Sequence, residues 1–221
     1  RMHPGWSAMA GYTAARLAAA GFTGPVRAFE GRDGLLRAYG SADHVGRITE
    51  GLGAPFELDR TSVKPHACCR YNQGPIDLAI AIAAEHDLAP SAIADVEVGV
   101  VSTAMGIVVE PRARKVAPTN DVDAQFSLPY SVALGLVRGK AGLDEYAAPT
   151  LSDGDVLAVA DKVRGVATPR FDARFPEVWA CSLKVVTTDG RTLEIETDTP
   201  KGDPRNRLTP DEARAKFRAL A

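Results

Sequence analysis

Ten consecutive residues, Lys64-Pro65-His66-Ala67-Cys68-Cys69-Arg70-Tyr71-Asn72-Gln73, form the densest polar cluster in the chain. They end where Pro75 is expected to open a helix, and cations beside a helix N-terminus make an anion site. Free backbone N–H groups and the positive end of the helix dipole would hold a carboxylate there, and Lys64 or Arg70 would add charge-assisted hydrogen bonds. The plainer alternative makes Lys64 and Arg70 surface charges and the cysteines small core residues.

Other chemistry-bearing residues stand apart. His3, ahead of Pro4-Gly5 and a helical stretch, is of the type that serves as general acid or base near neutral pH, although a lone histidine is more often structural. His44 and His86 sit among charged residues and are expected to face water. No pair of histidines has metal-site spacing, so no metal is expected. Tyr130 follows Phe126-Ser127-Leu128-Pro129 near a helix start, where its hydroxyl could reach a site or be buried with one hydrogen bond. Asp153-Gly154-Asp155 reads as a loop turn, and Glu194 and Glu196 as solvated strand charges. The chain has no P-loop, dinucleotide fingerprint or Gly-x-Ser-x-Gly elbow, so nucleotide use and serine-hydrolase chemistry lack their motifs.

The elements that must position these residues are read from periodicity. An Ala-rich stretch from Trp6 to Ala20, closed by Gly21, predicts a helix, and glycines 31, 34 and 40 bracket a short second one carrying Leu35 and Leu36. Glycines and Pro55 between Gly51 and Phe56 mark a boundary. Phe56 to Cys69 reads as extended, Ile76 to Glu85 as a helix opened by Pro75, and Val96-Val98-Val100 as a half-buried strand. Asp123 precedes a helix from Gln125 to Val137, with Pro129 tolerable only near its first turn. Trp179 to Thr188 and Arg191 to Thr197 alternate around Asp189-Gly190, which predicts a hairpin with a two-residue turn. Thr209-Pro210-Asp211-Glu212 is a capping box that starts a last helix. Helices followed by strands mixed with helices give an α+β fold.

Composition narrows the partners. A formal net charge of -2 over 221 residues gives no basic field for nucleic acid or anionic lipid, and no apolar run approaches the ~20 residues that span a bilayer. Three cysteines, two of them adjacent, suit a reducing cytoplasm and supply an iron–sulfur cluster badly. There is no visible secretory signal, and both ends, at Arg1 and Ala221, read as cut from a longer chain.

Five strings taken together resemble the MmgE/PrpD family: Arg1-Met2-His3-Pro4-Gly5-Trp6, Glu30-Gly31-Arg32-Asp33-Gly34, Lys64 to Tyr71, Phe126-Ser127-Leu128-Pro129-Tyr130, and Lys201-Gly202-Asp203-Pro204. They stand in the family's order and cover essentially the whole chain. The resemblance implies the C-terminal half of a cofactor-independent lyase, similar to 2-methylcitrate dehydratase, acting on a small polycarboxylate. It further implies that residues 1–55 end an all-helical domain, 56–200 form an α+β lid, and 201–221 return to the helical domain. Lys64 and Arg70 would bind carboxylates, Tyr130 would donate to the substrate or leaving group, and His3 lies in the matching histidine-proline-glycine motif.

Other family expectations concern the rest of the assembly. An N-terminal helical half is expected in cis or as a partner chain, together with a homodimer. This chain departs from the family pattern at Gln73, where many relatives have a histidine, and in lacking a lysine before Arg1. An epimerase of the iminodisuccinate type and a non-catalytic subunit remain the alternatives, the second modestly favoured by Gln73.

Overall fold

The computed structural model describes residues 2–40, 46, 49–53 and 56–220; His44 and Pro55 lie outside the described residues. The chain divides into two compact units, Arg1–Phe56 and Glu57–Ala221. In the first unit, α1 (His3–Ala19) begins with a proline in its first turn and ends as its glycine predicts. Gly21 takes φ 91°, and the Phe22 N–H reaches back to the Leu17 carbonyl at 3.0 Å, which satisfies an end carbonyl of the helix. A short α2 (Leu35–Ala38) follows Gly34. No residue of α1 is buried, and Trp6 is 64% exposed, with Met9, Tyr12, Phe22 and Phe29 also exposed.

The second unit is α+β. Its four-stranded sheet runs in the order β2-β1-β3-β4, with β1 (Ile93–Val100), β2 (Val163–Ala167), β3 (Cys181–Thr187) and β4 (Thr192–Thr197). β1 pairs antiparallel with β3, and β3 with β4, so the hairpin forms as its alternation predicts. Its turn differs from the two-residue form. Gly190 takes φ 88° while Asp189 does not adopt positive φ, and the Thr187 N–H bonds the Arg191 carbonyl at 2.9 Å. The loop is therefore the three residues Thr188–Gly190, with the glycine supplying the left-handed position.

β2 joins β1 in parallel, which requires a long crossover; here it runs through short helical turns and then α4 (Asp121–Gln125), α5 (Leu128–Arg138) and α6 (Gly154–Ala160). The helix expected from Gln125 to Val137 instead starts at Leu128, and Gln125 ends α4. The structure breaks α4 from α5 at Phe126, because Ser127 caps α5 by accepting the Tyr130 N–H at 3.0 Å and Pro129 fits the first turn. Asp153, read as a loop charge, caps α6 by accepting the N–H groups of Asp155 and Val156. The stretch from Phe56 is not wholly extended either, since Glu57–Arg60 forms a 3-10 turn.

The largest correction is α3 (Arg70–Glu85), which starts six residues before its expected first residue and carries Pro75 inside it. Proline removes one intrahelical donor but sits early enough for the helix to continue. α3 and α5 pack together at Gly135, where an added Cβ would stand 2.8 Å from the Ala79 Cβ. That close approach lets Ile76, Ala79 and Ile82 of α3 share one buried core with Val132 and Leu136 of α5 and Val96, Val98, Leu183 and Val185 of the sheet. The last helix, α7 (Pro210–Leu220), begins with the reciprocal capping box: Thr209 N–H to Glu212 Oε2 at 2.7 Å, and Glu212 N–H to Thr209 Oγ1 at 3.2 Å. No helix among the described residues is long and apolar enough to cross a membrane.

Candidate functional site

The segment Val63–Cys69 is held against three other parts of the second unit by backbone hydrogen bonds. Val63 N–H donates to the Gly202 carbonyl at 2.9 Å, Ala67 N–H to Ala141 at 3.0 Å, and Cys69 N–H to Gln125 at 2.9 Å. Gly202 is required at the first of these contacts: its φ is 83°, and an added Cβ would lie 1.8 Å from the Val63 carbonyl oxygen. This attachment delivers the segment to the N-terminus of α3, where Cys69 is the cap residue with extended backbone.

Gln73 fixes the segment from inside. The side chain is fully buried; Oε1 accepts the His66 N–H at 2.9 Å, and Nε2 lies 3.2 Å from the His66 carbonyl and 3.3 Å from that of Cys69. The amide is therefore committed to shaping the loop. Asn72, one residue earlier, donates to the Ser127 carbonyl at 3.2 Å and to Ser131 Oγ at 3.0 Å, while its buried Oδ1 has no hydrogen bond among the described residues.

Two cations flank this helix start. Lys64 is exposed and its Nζ donates to the Cys68 carbonyl at 3.1 Å. Arg70 is half-buried, with its guanidinium 4.9 Å above the Trp179 ring and 3.5 Å from Ser62 Oγ. Burial pushes the Arg70 guanidinium below its ordinary value, opposed by the charges of Asp203 and Asp77, and it stays protonated. Among the described residues neither Lys64 nor Arg70 forms an ion pair with a carboxylate, while Arg138, Arg164, Arg170, Arg174 and Arg205 each do.

Tyr130 occupies a different environment. It is 0% exposed, and its hydroxyl donates to the carbonyls of Thr150 at 3.1 Å and Glu145 at 3.4 Å. Burial pushes its pKa up to about 12, so it is a neutral phenol. Its ring packs beside Tyr146, whose hydroxyl donates to Ser131 Oγ at 2.9 Å. His3 is exposed at the first residue of α1 in the other unit. Cys68, Cys69 and Cys181 are free thiols, and burial pushes Cys68 up to about 12 and Cys181 higher still, which leaves both unreactive as nucleophiles. His86 is exposed, as its charged neighbours suggest.

One arrangement was not legible beforehand. His66 Nε2 lies 2.9 Å from Asp77 Oδ1, and Asp77 Oδ2 accepts the Lys201 N–H at 2.9 Å. The His66 side chain is only 12% exposed. Both residues line a cleft of about 720 Å³ to which neither Lys64 nor Arg70 contributes.

The second unit is thus an α+β domain whose helix start carries two cations without a carboxylate partner among the described residues. Residues 66–221 match the model of the MmgE/PrpD C-terminal domain, and the chain belongs to the MmgE/PrpD family, a family of generally dehydratase-like enzymes. The matched stretch includes Arg70 and Tyr130 and begins two residues after Lys64. No curated protein matches the chain.

Proposed function

We propose that this chain supplies the carboxylate-binding portion of a cofactor-independent hydro-lyase acting on a small polycarboxylate, similar to 2-methylcitrate dehydratase. The observation that carries the reading is the pair Lys64 and Arg70, flanking the N-terminus of α3 with no carboxylate partner among the described residues. Family membership supports the reaction class.

Elimination of water from a citrate-like acid needs a base for a carbon-bound proton, an acid for the departing hydroxyl, and cations that hold the carboxylates. Lys64 and Arg70 fill the last role and stabilise the enolate-like charge that develops as the proton leaves. Arg70 is suited to it because the Trp179 face and Ser62 orient its planar guanidinium before the substrate arrives. Tyr130 does not enter this reading as a donor, because its hydroxyl already serves two backbone carbonyls. The principal base belongs to the family's N-terminal helical half, which would also cover the exposed apolar residues of α1.

Proton magnetic resonance of 2-methylcitrate in deuterated water tests the proposal. With the N-terminal half of a family member supplied, the methyl doublet is expected to give way to a downfield methyl singlet on a fully substituted double bond as water is lost. Deuterium entering the substrate carbon without loss of water would make the enzyme an epimerase instead. Turnover by the pure 221-residue protein would contradict the placement of the base on the other half.

A further inference from the structure

Independently of that reading, we infer that the cleft beside His66 and Asp77 is a second small-molecule site, for a monocarboxylate with a short apolar chain. The cleft's volume of about 720 Å³ falls within the range of small-ligand sites, roughly 300–1,000 Å³. Its wall is mostly apolar, built from Ile80 of α3, Leu143 of the loop after α5, Leu208 just before α7 and Ala215 within it. Such a surface takes a hydrocarbon body.

The polar groups decide the sign of the ligand's charge. Lys140 and Lys201 line the cleft but are neutralised by Glu145 at 2.8 Å and Glu212 at 2.9 Å. Lys216 is the half-buried position of α7, whose other described residues from Pro210 to Leu220 are exposed, and it has no ion-pair partner among the described residues. A lysine at the cleft without a counter-charge favours an anion. The His66 ring, held by Asp77 through Nε2, has no partner at Nδ1 among the described residues and adds a second polar anchor in the same cleft. Asp77, bonded to His66, and the exposed Asp144 are the acidic lining residues outside the two lysine pairs.

A dicarboxylate would leave one charge against the apolar wall, so the site selects one carboxylate and a chain of a few carbons. The elements that carry both anchoring residues are held in place. The capping box and the Lys201–Glu212 pair hold α7 over the cleft, and Gln73 fixes the His66 backbone.

Isothermal titration of the full chain with hexanoate tests the site, with hexanol and citrate as comparators. Saturable hexanoate binding is expected, at least about tenfold tighter than hexanol, and citrate is not expected to displace it. Lys216→Ala should weaken hexanoate about tenfold, and Ala215→Trp, placed on an exposed helix face where folding can be checked by circular dichroism, should abolish binding by filling the cleft. Absence of saturable binding, or equal affinity in the wild type and both folded variants, would overturn the inference. Displacement by citrate would place hexanoate at the Lys64 and Arg70 cations and would overturn it too, leaving the proposed function standing.

Discussion

Gln73 grips His66 by both ends of its amide, accepting the histidine N–H at Oε1, 2.9 Å away, and facing the histidine carbonyl with Nε2 at 3.2 Å. Through this pairing a residue of the first turns of α3 determines the path of the loop that carries Lys64 and leads to Arg70. Gln73→Ala leaves several buried polar groups unpaired and opens a cavity, and is expected to destabilise the second unit by about 3 kcal/mol. Gln73→Glu should do worse, because it buries a charge and removes the donor end. Urea unfolding of the two variants checks both the size and the order.

Gly202→Ala tests the other anchor of the loop. The substitution forces an L-residue to φ 83° and drives a Cβ against the Val63 carbonyl, so the Val63–Gly202 hydrogen bond must break. A loss of at least about 2 kcal/mol is expected, together with weaker polycarboxylate binding as Lys64 moves. Unchanged stability would mean that the turn at 202 does not hold the loop.

Acid should weaken the same region through Asp203. Burial pushes its carboxyl up, but hydrogen bonds from the Arg205 guanidinium and N–H, with the charges of Arg205 and Arg70, hold it below the usual carboxylate value. A depressed folded pKa gives stability that is present above the unfolded value of about 4 and lost as pH falls through the folded one. Stability should therefore fall at acid pH, and Asp203→Asn should be less stable than wild type at neutral pH but lose less on acidification. Parallel pH profiles for the two proteins would contradict this.

What the sequence disclosed follows from which signals are local. The hairpin and the capping box of α7 were legible because side-chain alternation and the Thr209–Glu212 spacing lie within a few residues. β2 was not, because its five residues include Gly165, whose missing Cβ is filled by Val109 and Leu128 from elsewhere in the fold. The true start of α3 was masked by Pro75, a residue that more often opens a helix than sits inside one.

The candidate site was legible in part for the same reason. Lys64 and Arg70 were singled out through their local crowding beside a helix start. The His66–Asp77 pair was not, because it forms only when the chain turns at Cys69 into α3 and brings residues eleven apart within 2.9 Å. The position of Tyr130 near a helix start was correctly read, but its burial depends on the distant carbonyls of Glu145 and Thr150.

The central claim is that Lys64 and Arg70 receive the carboxylates of a small polycarboxylic acid. Isothermal titration of the full chain with 2-methylcitrate, repeated with Lys64→Ala and Arg70→Ala, tests it most directly. Saturable binding is expected, weakened about tenfold by each substitution and further reduced by raising the salt concentration. Equal affinity in all three proteins, or no binding to the wild type, would contradict the account.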